Sequence, residues 1–247
     1  MLVNSPKHGG RTMAGKNEVE IPDFSGFSAE AFRFLKALKK NNNREWFLPK
    51  KEKYVELLHK PMVALVLELA EECRAFAPDI SINPQRNILR IYRDTRFSKD
   101  KSPYKTFVAA TLPFGNYDKT MDSPGLYFQI TPGGSFAAGG LYGPNSLQLR
   151  KVRESLQQNP EAFLQIIEDR GFKKHFGELQ GEKLKTTPRG VLPNHEMIEF
   201  LRMKQFYVEK SFADEDVMKK DLPKKMAKEF KQMMPLLRWL AKSQNIW

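Results

Sequence analysis

The stretch Gly125–Tyr142, GLYFQITPGGSFAAGGLY, decides how this chain is built. Two runs of aromatic, branched and small residues, Gly125–Thr131 and Ser135–Tyr142, flank the breaker Pro132-Gly133-Gly134. Strand formers on either side of a Pro-Gly-Gly turn read as an antiparallel hairpin. Working outward, Ile88–Phe97 and Lys105–Phe114 have the same character, and Gln205–Lys210 reads as a further strand.

Helical periodicity surrounds this block. Ser28 is placed to cap a helix whose Phe32, Leu35 and Leu38 share a face, and the Asn41–Asn43 cluster ends it. Tyr54, Leu57, Leu58, Met62, Leu65, Leu69 and Cys73 recur at helical spacing, with Pro61 expected to kink or restart the helix because it has no amide hydrogen. Ser146–Gln157, Asn159–Arg170 and Asn194–Met203 read as helices; Asn159 caps the second of these and Gly171 stops it. Met226, Phe230, Met233, Leu237 and Leu240 mark a C-terminal helix. Helices flanking a contiguous run of strands predict an α+β fold, a central antiparallel sheet flanked by helices, rather than a doubly wound parallel one. Residues 1–20 are polar and aperiodic and read as a disordered leader, leaving 21–247 as one domain.

Composition narrows the setting. The 40% hydrophobic and 28% charged content is that of a globular chain, and the longest apolar run, Met62–Leu67, is far too short to span a bilayer. No apolar block follows the scattered cations of the first twenty residues, so no secretory signal is read, and Cys73 is the only cysteine. These features predict a cytoplasmic protein without disulfides and without a membrane partner. The formal net charge is +12 and it is clustered: residues 86–105 carry seven Lys/Arg against two Asp, and residues 219–231 carry six Lys against two acids. Such clusters favour phosphate-bearing or otherwise acidic partners, although lysine-rich helical faces are commonly just solvated.

The denser cluster is RIYRDTRFSKDKSPYK, Arg90–Lys105. In an extended Ile88–Phe97, alternation sends Arg90, Tyr92, Asp94 and Arg96 to one face and Ile91, Arg93 and Phe97 to the other, so Arg93 joins its neighbours only through a bulge. Guanidinium forks on a sheet are preorganised for carboxylate or phosphate, whereas the ammonium groups of the following loop steer a ligand more than they fix it. The expected site therefore has Arg90, Arg93 and Arg96 holding an anion, Lys99, Lys101 and Lys105 steering it, and Tyr92, Tyr104 or Gln129 shaping the pocket. The plainer alternative is a turn in which Asp100 and Ser98 satisfy nearby amides and the charges pair within the protein.

Arg90–Lys105, Gly125–Ile130, Ala138–Tyr142, the earlier Asn42-Asn43-Arg44-Glu45-Trp46-Phe47 and the later Pro188-Arg189-Gly190 together resemble the signature of an uncharacterised bacterial and fungal family classed as a domain of unknown function. The resemblance runs from about Phe24 to Leu240 and implies a single family domain. It brings no activity, cofactor or catalytic residue with it.

Other constellations are weaker. Gly134 and Gly139 have phosphate-loop spacing, but Gly140-Leu141 stands where Lys-Ser/Thr is needed, so backbone conformation is the better reason for these glycines. Ser98…Lys101 and Ser102…Lys105 match a Ser-x-x-Lys spacing, yet Pro103 and an adjacent strand deny them the helix start that acyl transfer requires. Asp94 and Asp100 are the candidates for a general base or magnesium ligand if the protein is an enzyme, against the repulsion of their cationic neighbours. The four histidines are dispersed, so no metal site or cofactor is indicated. The leading expectation is a binder of nucleic acid or a phosphorylated small molecule; the alternatives are an enzyme acting on an anionic substrate, and a protein-interaction module with structural ion pairs.

Overall fold

The computed structural model describes residues 10–13, 19–80, 82–115 and 123–246. Of the leader expected over residues 1–20, residues 1–9 and 14–18 lie outside this range; β1 (Gly10–Met13) pairs antiparallel with β2 (Val19–Pro22). The central sheet is built from β3 (Val108–Pro113), β4 (Gly125–Ile130), β5 (Ser135–Leu141) and β6 (Phe206–Phe212), in that spatial order and antiparallel throughout. With helices packed against it the fold is α+β, as the pattern of elements predicts.

The β4–β5 turn follows from its residues. Gly133 adopts a positive φ of 71° one place after Pro132, the signature of a type II turn, and the Gly134 amide donates to the Thr131 carbonyl at 3.2 Å. Alternation along β4 then sets the layers. Leu126, Phe128 and Ile130 are fully buried against the helical side, whereas Tyr127 and Gln129 point the other way and stay half-buried. Burying each large apolar side chain stabilises the fold by roughly 1.5–3 kcal/mol. The long helix Leu222–Ser243 covers the apolar side; the Phe230 ring lies 6.5 Å from that of Phe128, and Trp239 packs on Phe163 at 4.7 Å. That helix also packs on Lys60–Cys73. Pro61 falls in the first turn of Lys60–Cys73, directly after a π-helical turn at Val55–His59; His59 and Lys60 keep helical dihedrals, so the wider turn accommodates the missing amide and the helix continues rather than restarting.

Ser28 caps Ala29–Lys40 and Asn159 caps Pro160–Ile167, both with side-chain oxygens accepting backbone amides. Several boundaries differ from the sequence reading. Gly171 stops nothing: it lies inside Arg170–Phe176, a helix capped by Asp169 and ended by Gly177 at a φ of 73°. Asn194–Met203 holds only the single helical turn Ile198–Leu201. The largest correction concerns Ile88–Phe97, which is not a strand. Leu89 donates to the Ala109 carbonyl at the edge of β3, and isolated bridges join Ile88 to Ala110 and Tyr92 to Tyr104. Beyond Arg93 the chain leaves the sheet because Asp94 and Asp100 capture the amides of Arg96 and Ser102, at 3.1 and 2.9 Å, in local turns that compete with ladder pairing. Among the described residues no helix is long and apolar enough to cross a membrane.

Candidate functional site

The basic segment is a closed loop with a fixed base. Arg93 N–H donates to the Pro103 carbonyl and Lys105 N–H to the Ile91 carbonyl, so residues 91–93 and 103–105 pair across the loop's neck. Tyr104, 1% exposed, anchors this neck: its ring stacks on Phe47 at 4.1 Å and meets Tyr92 at 5.5 Å. Asn42 fastens it from the other side, donating to the Tyr104 carbonyl at 2.9 Å and accepting the Tyr104 amide at 3.0 Å. Asn43 caps the Arg44–Phe47 turn that presents Phe47, so the Asn-Asn-Arg-Glu-Trp-Phe motif is part of the site's scaffold.

Within the loop both carboxylates are matched by arginines, and four of the six cations have no carboxylate partner there. Arg93 donates to Asp100, to the Ser102 carbonyl at 3.1 Å and to Ser98 Oγ at 3.3 Å. Arg96 forks onto Asp94, with Nε–Oδ1 at 3.0 Å and Nη2–Oδ2 at 2.7 Å. Lys101 donates to the Thr95 carbonyl at 2.9 Å. The hydrogen bonds and charge of Arg96 hold the Asp94 carboxyl at about 2, and the hydrogen bonds of Ser102 followed by those of Arg93 hold Asp100 at about 2. Both carboxylates are thus occupied and weakly basic. Arg90 and Lys99 are exposed at the surface. Phe97, 95% exposed, stands at the loop tip with the Arg96 guanidinium 5.8 Å from its ring centre.

Lys105 occupies the pivotal position. It is part-buried and donates from Nζ to the carbonyls of Arg90 and Tyr92, the latter at 3.0 Å. Burial, followed by repulsion from Arg90 and Arg93, lowers its pKa. It lines two neighbouring cavities. One, of about 590 Å³, is the more polar of the two and is bordered by Lys39, Asn42, Arg93, Asp94, Asp100 and Lys105, with Tyr104 and Phe107 as apolar lining. The other, of about 410 Å³, lies over the open face of the sheet and is mainly aromatic and small-residue in character.

The open face has a regular cross-strand row, Thr111–Tyr127–Ala138–Glu209. Tyr127 Oη donates to Gln129 Oε1 at 2.9 Å, and burial followed by the nearby Tyr142 raises the Tyr127 pKa. Tyr142 meets Tyr207 edge to face at 5.3 Å. Gln129 therefore lines the aromatic cavity while Arg93, Tyr104 and Lys105 line the polar one; Arg96 is spent on Asp94 at the loop surface. Lys39, Thr111 and Phe136 escape sequence reading because each comes to the site from an element whose local pattern reports only helix or strand. Among the described residues no group of three His, Cys, Asp or Glu side chains is placed to hold a metal ion.

No curated protein and no solved structure matches the chain. A family model described as "Conserved hypothetical protein (DUF2461)" matches residues 30–239, a span that includes the Asn42 anchor, the basic loop and all four strands of the central sheet. The chain belongs to that family of conserved hypothetical proteins.

Proposed function

We propose that this protein binds a phosphate-bearing ligand, with the anionic group seated in the polar cavity between Lys39, Arg93 and Lys105. The observation that carries the reading is the convergence of these three cations on one cavity whose two carboxylates are already engaged. Donor capacity remains there. Lys105 has three N–H groups and uses two, and Arg93 has five and uses three on the contacts above. Asp94 and Asp100 support the architecture of the loop, since carboxylates held at about 2 make poor proton acceptors near neutral pH. A cavity of this size favours a phosphorylated small molecule over a long nucleic-acid track. The buried, unpaired Cys73 fits a reducing, cytoplasmic setting.

Thermal unfolding against inorganic phosphate, sugar phosphates, nucleotides and short single-stranded DNA, at two salt concentrations, tests this. A ligand present at about 100 times its dissociation constant adds roughly 2.7 kcal/mol. Stabilisation by a phosphorylated small molecule, lost in Lys105→Ala and weakly salt-dependent, is expected; stabilisation by DNA alone with a steep salt dependence overturns the small-molecule reading. A second reading, a protein-interaction surface, is supported by Phe97, bare at the tip of the loop among Arg96, Lys99 and Lys101. Loss of a partner in Phe97→Ser with ligand stabilisation intact separates the two.

A further inference from the structure

The open face of the sheet has the makings of a site in its own right. Gly125, Ala138 and Gly140 give it a nearly bare floor, and Tyr127, Phe136 and Tyr207 stand around that floor. Small residues let a flat ring approach the backbone closely, and aromatic neighbours offer faces and edges to stack on. Two polar groups here lack partners. Thr111 borders the cavity and is only 4% exposed; its hydroxyl has no accessible surface of its own and makes no hydrogen bond. Gln129 spends its oxygen on Tyr127, and its amide NH2 has no partner among the described residues. A side-chain amide beside an otherwise aromatic cavity offers a bound ring two donors.

We infer that this face takes a planar heteroaromatic ring, and that the phosphate-bearing ligand is a nucleoside phosphate whose base lies on the sheet while its phosphate reaches the Lys105 side. The inference rests on the proposed phosphate pocket and deepens it. Continuity carries it: Lys105 borders both cavities, so one molecule with an aromatic and an anionic end spans them. The volume of about 410 Å³ accommodates a base with part of its sugar. A hydrocarbon chain is the poorer occupant, because it leaves the Gln129 amide unsatisfied, whereas ring nitrogens and exocyclic groups of a base supply acceptors. Stacking on such a surface tolerates any base, so discrimination falls to Gln129.

Calorimetric titration of the full chain with inorganic phosphate, ribose 5-phosphate, the four ribonucleoside monophosphates, the corresponding uncharged nucleosides and a medium-chain fatty acid tests the inference. At least one monophosphate is expected to bind at least about tenfold more tightly than ribose 5-phosphate, the scale of one base-stacking contact. Phe136→Ala is expected to erase that advantage without changing affinity for ribose 5-phosphate. Gln129→Met, which keeps the side-chain length and so guards against a folding defect in the larger truncation, is expected to reduce the preference among bases. Equal binding of ribose 5-phosphate and all monophosphates overturns the inference and leaves the phosphate pocket standing. Nucleosides binding as tightly as their phosphates overturn the pocket and leave the ring site standing. Preference for the fatty acid overturns the ring site, and failure of every probe overturns both.

Discussion

The side-chain amide of Asn42 lies edge to edge with the backbone of Tyr104, accepting its N–H at 3.0 Å and donating to its carbonyl at 2.9 Å. Sixty-two positions apart in sequence, the two residues are joined as neighbouring strands would be. The pairing holds the neck of the basic loop against the helical layer and thereby fixes where Arg93 and Lys105 stand.

Replacing Asn42 by Ala strands a buried amide and carbonyl at once. The expected loss is about 1–3 kcal/mol in urea unfolding, with faster hydrogen exchange at the Tyr104 amide than in the parent. A variant as stable as the parent, with Tyr104 equally protected, shows that the anchor lies elsewhere in the Phe47–Tyr104 stack.

The acid titration of the loop has a defined sign. Asp94 and Asp100 are held at about 2 against an ordinary 3.8, so their contribution to stability is present above about pH 4 and is lost as pH falls through about 2. Removing the Arg96 guanidinium in Arg96→Ala is expected to move the Asp94 carboxyl midpoint upward, followed by carboxyl-carbon NMR, and to shift Asp100 much less. Any stability difference between this variant and the parent should shrink between pH 4 and pH 2 and should weaken in high salt, because the pair is exposed. An unmoved Asp94 midpoint contradicts the assigned cause.

Gly140 is the glycine that the sheet cannot replace. At a φ of 152°, a Cβ there stands 2.1 Å from the Phe206 carbonyl oxygen and 2.5 Å from the Tyr207 Cα, backbone atoms of β6 that move only if β5 and β6 part. Gly140→Ala is expected to cost roughly 3 kcal/mol or more in thermal or denaturant unfolding. Gly133→Ala provides the contrast: its positive φ remains unfavourable, but nothing lies within 4 Å, so about 1–2 kcal/mol of backbone strain is expected. Equal costs for the two substitutions mean that the contact with β6 is not the limiting constraint.

Much of the fold is legible where the signal is local. Pro132-Gly133-Gly134 carries its turn type in its residues, Ser28 and Asn159 announce their helices, and the period of Met226 to Leu240 marks the long helix that buries the sheet. Alternation along β4 even separates Tyr127 and Gln129 from the core. Reading fails where two local preferences compete. Ile88–Phe97 has the composition of a strand, but Asp94 and Asp100 offer the backbone nearby hydrogen bonds that a ladder would have to displace. Gly171 looks like a helix stop, yet the Asp169 cap starts a new helix across it.

The sequence by itself determined the class of the fold, the hairpin at its centre and the concentration of positive charge in one segment, because turn chemistry, hydrophobic period and net charge are properties of neighbouring residues. Only the tertiary structure decided which of those charges pair among themselves and which face a cavity. Arg96 and Asp94 lie two places apart and close on each other, whereas Lys39 and Asn42 come from one segment and Arg93 and Lys105 from another, and the two are joined by the Asn42–Tyr104 contact. The open sheet face is likewise a product of packing: the Leu222–Ser243 helix covers one side of the sheet, and the residues of the other side acquire their common surface from strand register.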